Sequence, residues 1–221
     1  MAQTAPYPTI AAPYGLQPIN LIGGQVFAGA TRQLPITTVI GSGNGYINYN
    51  TPIYNGDVVQ LSAANSTIII STLDTDSSPV LGVVGVFLGC TYTNPVTKQK
   101  TYSQYWPGFA SGVTDAYAYV ADDPDQLYKV ASVGNTINTT GLTISPVSQL
   151  VVGNNATLIL NSPNTTAGNS RTGVFANAVS SSLPMRVVDG VPDTATATGY
   201  TELIVKFNFG YHSYNNAVGV A

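Results

Sequence analysis

The chain has 221 residues, of which only 8% are charged: seven Lys and Arg, ten Asp and Glu, and a net charge of −3, with a single His. That balance argues against a nucleic-acid-binding face, which needs clustered Lys and Arg, and against an enzyme, which needs acids, bases or nucleophiles with tuned protonation states. An apolar content of 44% excludes a charge-expanded disordered chain, so the composition predicts a folded, non-enzymatic protein that works through surface and shape.

Nothing is charged before Arg32, between Lys129 and Arg171, or after Lys206. Surfaces that stay monomeric usually carry about 25–35% charged residues, so burial within an assembly is expected. Cys90 is the one cysteine; it excludes an internal disulfide framework, fits synthesis in a reducing cytosol, and reads as a small buried hydrophobe. The N-terminus lacks the basic start and apolar run of a signal peptide. No stretch reaches the roughly 18 apolar residues of a membrane helix, so no membrane partner is expected. Four Asn-x-Ser/Thr sequons, at Asn65, Asn138, Asn155 and Asn164, are a chance product of an Asn- and Thr-rich chain.

Residues 1–20 read as an extended arm. Pro6, Pro8, Pro13 and Pro18 stiffen it, and Tyr7, Tyr14, Leu16 and Ile19 give it an apolar, uncharged face suited to lying along another surface. On that reading the strand pattern starts only after Pro18, and removing residues 1–18 leaves the scaffold folded.

Residues 21–131 read as a β domain. Short β-branched or aromatic runs fall at Gln25–Ala28, Gln33–Thr37, Asp57–Leu61 and Thr67–Ile70, punctuated by Gly41-Ser42-Gly43-Asn44-Gly45 and Asn55-Gly56. Val83–Thr91 reads as a buried strand, and Asn94-Pro95 turns it into Lys100–Trp106 as a hairpin with Lys98 and Lys100 near its tip. Ala116–Val120 and Leu127–Val130 follow. A soft boundary falls in Ser132–Ser148, and residues 132–210 form a second β region, either separate or part of the same domain, with strands at Ala156–Leu160, Leu183–Val188 and Glu202–Phe209. In the last of these Leu203, Val205, Phe207 and Phe209 point one way and Ile204, Lys206 and Asn208 the other. Residues 211–221 form an uncharged C-terminal tail. No segment has the length and 3.6-residue period of a helix, so the fold class is all-β: a sandwich or barrel of short antiparallel strands with extended N- and C-terminal arms.

Candidate sites are few. Asp122-Asp123-Pro124-Asp125 could offer oxygens to a hard cation, but it is also a good turn, with Pro setting φ and Asp side chains capping amides. Asp74-Thr75-Asp76-Ser77-Ser78 resembles the start of an EF-hand loop, yet has Pro79 at its sixth position and Gly85 at its twelfth. Cys90 and His212 do not suggest a dyad, since one lies in an apolar strand and the other near a terminus; His212 suits an interface hydrogen bond. No nucleophile elbow, zinc-protease helix or phosphate loop occurs. Tyr102, Tyr105, Trp106 and Phe109 form an aromatic cluster that either stacks on a saccharide or packs beneath a loop. No catalytic residues, cofactor or metal are expected.

Several phrases along the chain resemble a family of tailed-bacteriophage virion proteins, small capsid-associated proteins of phages of aquatic and cyanobacterial hosts. They are Leu21-Ile22-Gly23-Gly24-Gln25-Val26-Phe27-Ala28-Gly29, Asn55-Gly56-Asp57-Val58-Val59, Gly85-Val86-Phe87-Leu88-Gly89-Cys90-Thr91-Tyr92, Gln104-Tyr105-Trp106-Pro107, Ala121-Asp122-Asp123-Pro124-Asp125 and Asn208-Phe209-Gly210-Tyr211-His212-Ser213-Tyr214. Gly134 to Gly173 matches less clearly. The resemblance implies a decoration (cement) protein on the outer surface of an icosahedral head, made in the host cytoplasm, with the major capsid protein and copies of itself as partners. The alternatives are another virion component of the neck or tail, or a glycan-binding host-attachment module. A trimer on local three-fold axes would also cover edge strands. The expected partner interface is Tyr7, Tyr14 and Leu16 in one arm and Tyr211, His212 and Tyr214 in the other.

Overall fold

A computed structural model of the chain describes residues 13–36, 51–62, 66–71, 82–109, 113, 115–134, 151–176, 183–194 and 200–216. Among these, twelve strands form two antiparallel sheets packed as a sandwich. Sheet one has the order β1 (Gln17–Leu21), β8 (Gln126–Ala131), β12 (Glu202–Phe207), β11 (Met185–Gly190), β9 (Asn155–Ile159) and β10 (Gly173–Phe175). Sheet two runs β2 (Arg32–Pro35), β7 (Tyr117–Ala121), β5 (Val83–Thr93), β3 (Val58–Leu61) and β4 (Ile68–Ile70), with β6 (Lys100–Ser103) also paired to β5. Strands from both sides of residue 132 share sheet one, so that position does not separate two sheets.

The core between the sheets joins Val58, Val83, Val86 and Ala121 of sheet two to Tyr128, Val130, Leu158, Met185, Leu203, Val205 and Phe207 of sheet one. Sheet two has a second apolar face. There Val59, Val84, Phe87, Cys90, Tyr92, Ala118 and Val120 pack beneath Ile53, Trp106, Val113 and Phe109. Burial on both faces explains why β5 reads as an almost unbroken apolar run rather than an alternating one. Its glycines serve close approach: a Cβ on Gly85 would lie 2.1 Å from the Ala121 carbonyl oxygen. Asn94 turns β5 into β6, its Oδ1 accepting from Val96 N–H and Thr97 N–H, and Lys98 closes the turn at φ 59°.

Three expectations change. The N-terminal segment is not a free arm from Pro13 onward. Leu16 is fully buried in the inter-sheet core, and Gln17 and Pro18 pair with Lys129 and Tyr128. Proline is tolerated there because β1 is an edge strand, so the chain before Ile19 is part of the scaffold. Gln25–Ala28 is not a strand. After the turn at Ile22–Gly24 it runs back along β1 through one bridge, Asn20 to Val26, and Val26 is 80% exposed. Phe209 leaves the alternation of Leu203, Val205 and Phe207: β12 ends at Phe207, a turn closed by Tyr211 N–H to Asn208 O follows, and Phe209 is 89% exposed.

The Asn55-Gly56-Asp57 turn joins distant parts of the chain. Gly56 O accepts from Leu16 N–H at 3.0 Å, Gly56 N–H donates to Phe87 O at 2.8 Å, and Asn55 O accepts from Ser170 N–H at 2.8 Å. Gly15 and Gly56 touch backbone to backbone; a Cβ on Gly15 would lie 2.8 Å from the Gly56 Cα. Asp57 is buried beneath this junction. Its carboxylate accepts from Tyr54 N–H at 2.8 Å and from the Ser170 and Thr172 hydroxyls, yet burial outweighs these bonds and pushes its pKa up to about 6.

Candidate interaction surface

The register of sheet one brings three loops to one end of the sandwich. Leu21 pairs with Gln126 and Val205 with Tyr128, so the turn after β1, the β7–β8 turn and the turn after β12 emerge together. Polar contacts tie them. Ile22 N–H donates to Asp125 O at 3.0 Å, and the Lys206 ammonium lies 2.5 Å from the Asp125 carboxylate. Asp122 takes the Arg32 guanidinium at 2.8 Å and the Tyr214 hydroxyl at 2.7 Å, while the guanidinium sits 5.3 Å from the Tyr214 ring centre. Burial, then the Asp122 carboxylate, pushes the Tyr214 phenol up to about 12.

Asp123 accepts from Asp125 N–H at 2.8 Å, and its carbonyl accepts from Gln126 N–H at 3.1 Å. The acidic run is therefore a capped turn whose outer carboxylates face cations of this chain. Among the described residues no group of three or more His, Cys, Asp or Glu is placed to hold a metal. Arg32, Asp122, Asp123, Pro124 and Tyr214, with Ala30 and Thr31, line an open cleft of about 490 Å³. At this end of the sandwich Ile22 (53%), Val26 and Phe209 stand exposed. Three large apolar side chains on turns, set among paired charges, have the character of an association surface.

The expected interface residues separate. Tyr7 lies outside the described residues. Leu16 and Tyr211 belong to the inter-sheet core. Tyr14 donates its hydroxyl to Glu202, which is 3.3 Å from the Lys129 ammonium, and that ammonium lies 5.5 Å from the Tyr14 ring centre. Burial and Glu202 raise the Tyr14 pKa well above its ordinary value. This cluster joins the lead into β1 to β8 and β12. His212 is fully buried beside the start of β5, bridged to Val83, with Phe207 and Tyr214 against its ring. Its Nδ1 accepts from Tyr214 N–H at 3.2 Å, and burial lowers its pKa. The C-terminal segment is strapped down, with Ser213 Oγ donating to the Gly82 and Val83 carbonyl oxygens. Of the six, Tyr214 alone is both described and exposed, at 45%. Uncharged, aromatic termini have the composition of an arm on a neighbour and of a segment buried in its own fold, so Leu16, Tyr211 and His212 were legible as apolar but not as internal.

The aromatic cluster also divides. Trp106 is 1% exposed and packs edge-on against Tyr92 and Phe109, and Tyr105 stacks on Tyr54 at 5.6 Å. Tyr102 points away from them and is 74% exposed. Cys90 is buried, and burial pushes its thiol up to about 12, as suits a packing residue. The Gly41–Gly45 and Asp74–Ser78 segments lie outside the described residues, and among those described no helix is long and apolar enough to cross a membrane.

No family model matches this chain, and no curated protein or solved structure shows significant similarity to it. Sequence patterning missed Val26 and Phe209 as surface residues because each sits in a run read as a strand, Gln25–Ala28 and Glu202–Phe209, and it assigned Ile22 to no element. The signal that could have found them is the Gly-Gly and Phe-Gly turn chemistry beside them.

Proposed function

We propose that this chain is a capsid decoration (cement) protein, a non-enzymatic β scaffold that binds the outer surface of an icosahedral phage head and joins adjacent capsid subunits noncovalently. One observation carries the reading. Three of the phrases that resemble phage virion proteins, Leu21–Gly29, Ala121–Asp125 and Asn208–Tyr214, are far apart in sequence but meet at one end of the sandwich, linked by Ile22 to Asp125 and Tyr214 to Asp122. The exposed Ile22, Val26 and Phe209 belong to two of these phrases. The other phrases at Asn55–Val59, Gly85–Tyr92 and Gln104–Pro107 supply core and junction residues.

On this reading the apolar turns seat against the capsid and the paired charges fix the turns that carry them. Burying Phe209 alone contributes about 1.5–3 kcal/mol per copy, and many copies on one shell act together against internal pressure. The interface gains little from ion pairs, since Asp122 and Asp125 are engaged by Arg32 and Lys206 of the same chain. Co-sedimentation of purified protein with capsids tests this. Val26→Ser and Phe209→Ser together abolish binding if the turns are the contact, and raised salt leaves wild-type binding largely intact. Unchanged binding by the double variant, with fold intact, overturns the reading.

A further inference from the structure

The outer strands of both sheets are covered by the chain itself, with one exception. Beyond β1, Leu21 N–H donates to Gln25 O at 2.8 Å and Phe27 N–H to Ile19 O at 3.2 Å. Beyond β10, Val133 N–H donates to Val174 O at 2.9 Å. The two outer strands of sheet two meet each other where Ile36, one residue past β2, bridges Ile68 at the start of β4. β6 has no such cover among the described residues, and pairs only with the outer half of β5. The bond from Asn94 N–H to Gln99 O, at 2.9 Å, sets the alternation of this hairpin. Gln99, Thr101 and Ser103 turn their backbone groups towards β5, so those of Lys100 and Tyr102 point away from it. No partner among the described residues takes them.

An open edge accepts a further strand unless charge, proline or a bulge guards it. β6 has no proline, its register with β5 is unbroken, and its one charge, Lys100, is drawn to 2.8 Å from Asp115. We propose that β6 pairs antiparallel with β6 of a second copy about a two-fold axis at Thr101, so that two copies of sheet two become one. The register follows from charge and geometry, because only outward-facing residues set opposite each other form backbone bonds. An axis at Lys100 would put two ammonium groups directly across from each other, which is destabilising. An axis at Tyr102 would call on Gln104, which lies past the end of β6 with its side chain tied to Ala167 O and Asn169. An axis at Thr101 sets Lys100 of each copy opposite Tyr102 of the other and uses every outward group of both strands. Tyr102, 74% exposed in the single chain, then lies along the Lys100 stem of the other copy, and the two Thr101 side chains form a favourable cross-strand pair. Such a contact is closed, giving a dimer in place of the trimer expected from the sequence. β6 lies at the end of β5 remote from Val83 and its bridge to His212. The pairing draws on none of Ile22, Val26 or Phe209, so it stands or falls separately from the capsid contact.

Sedimentation equilibrium of the full chain at about 100 µM tests this, and the wild type sediments with twice the 23.0 kDa mass of one chain. Thr101→Lys and Thr101→Glu each set like charges across the axis and weaken the dimer by about tenfold or more. An equimolar mixture of the two variants re-forms it as a heterodimer, a rescue that misfolded chains would not show; circular dichroism checks that each variant keeps its β spectrum. Hydrogen exchange gives a reading without any substitution. The Lys100 and Tyr102 amides, open in the single chain, exchange about tenfold or more slowly when the wild type is raised from about 1 µM to about 100 µM. A wild type that remains monomeric overturns the proposal, as does a trimer, or exchange at Lys100 and Tyr102 that ignores concentration. A dimer that survives both single substitutions, or that the mixture fails to restore, also overturns it. The Val26→Ser, Phe209→Ser double variant remains dimeric; its dissociation would put the self-contact at the other end of the sandwich and overturn the pairing.

Discussion

Asp57 gives the sharpest test of the inner architecture. Its carboxyl is 5% exposed at the junction of the β1 lead-in, β5 and the 164–172 segment, and burial raises its pKa from 3.8 to about 6 despite three hydrogen bonds. A carboxyl whose folded pKa exceeds its unfolded value binds more protons in the folded state between the two, so stability falls as pH rises through that window. The gap, at about 1.4 kcal/mol per pH unit, amounts to about 3 kcal/mol lost by neutral pH. His212 acts in the opposite sense. Burial lowers its pKa from 6.5, so its contribution is present above that value and is lost as pH falls. The two overlap, and a wild-type profile alone does not separate them. The Asp57→Asn variant does, because an amide resembles the protonated carboxyl and does not titrate. Urea unfolding of both proteins at about pH 4 and about pH 8 yields two stability differences. The variant gains on wild type by about 3 kcal/mol between them. A difference that stays flat across the range refutes the buried-carboxylate account.

Leu16→Ala costs about 2–5 kcal/mol in urea unfolding, because the side chain is enclosed by the inter-sheet core; a surface arm predicts no change. Deleting residues 1–18, which also removes the Gln17 and Pro18 pairing, lowers the thermal midpoint further. Phe207→Ala costs about 3–5 kcal/mol while Phe209→Ala, two residues on, stays within about 0.5 kcal/mol; equal effects would contradict the turn that ends β12. Gly85→Ala, whose Cβ meets the Ala121 carbonyl oxygen, costs about 3 kcal/mol or more, read as loss of folded protein by circular dichroism.

The strands of sheet two were the most legible, because burial on both faces of β5 wrote an unbroken run from Val83, and Asn94-Pro95 marked its hairpin. The Asp122–Asp125 turn was legible for a similar reason: Pro and Asp encode it locally. β1 was hidden by Pro18, which an edge strand accepts, and β10 by its length, three residues opening on Gly173. Burial of Leu16, Tyr211 and His212 depends on what lies across from them, on β5, β8 and β12, and no local pattern reports that. The candidate surface was hidden likewise. Ile22, Val26 and Phe209 look like core residues until the register of β1, β8 and β12 puts their turns at one end.

The central claim is decoration of a capsid, and copy number tests it most directly. Quantitative gel densitometry of purified virions that carry this chain measures its ratio to the major capsid protein. A cement role predicts copies on the order of hundreds per particle, in fixed stoichiometry with the icosahedral lattice. A dozen copies or fewer per particle, as for a neck or tail component, contradicts it.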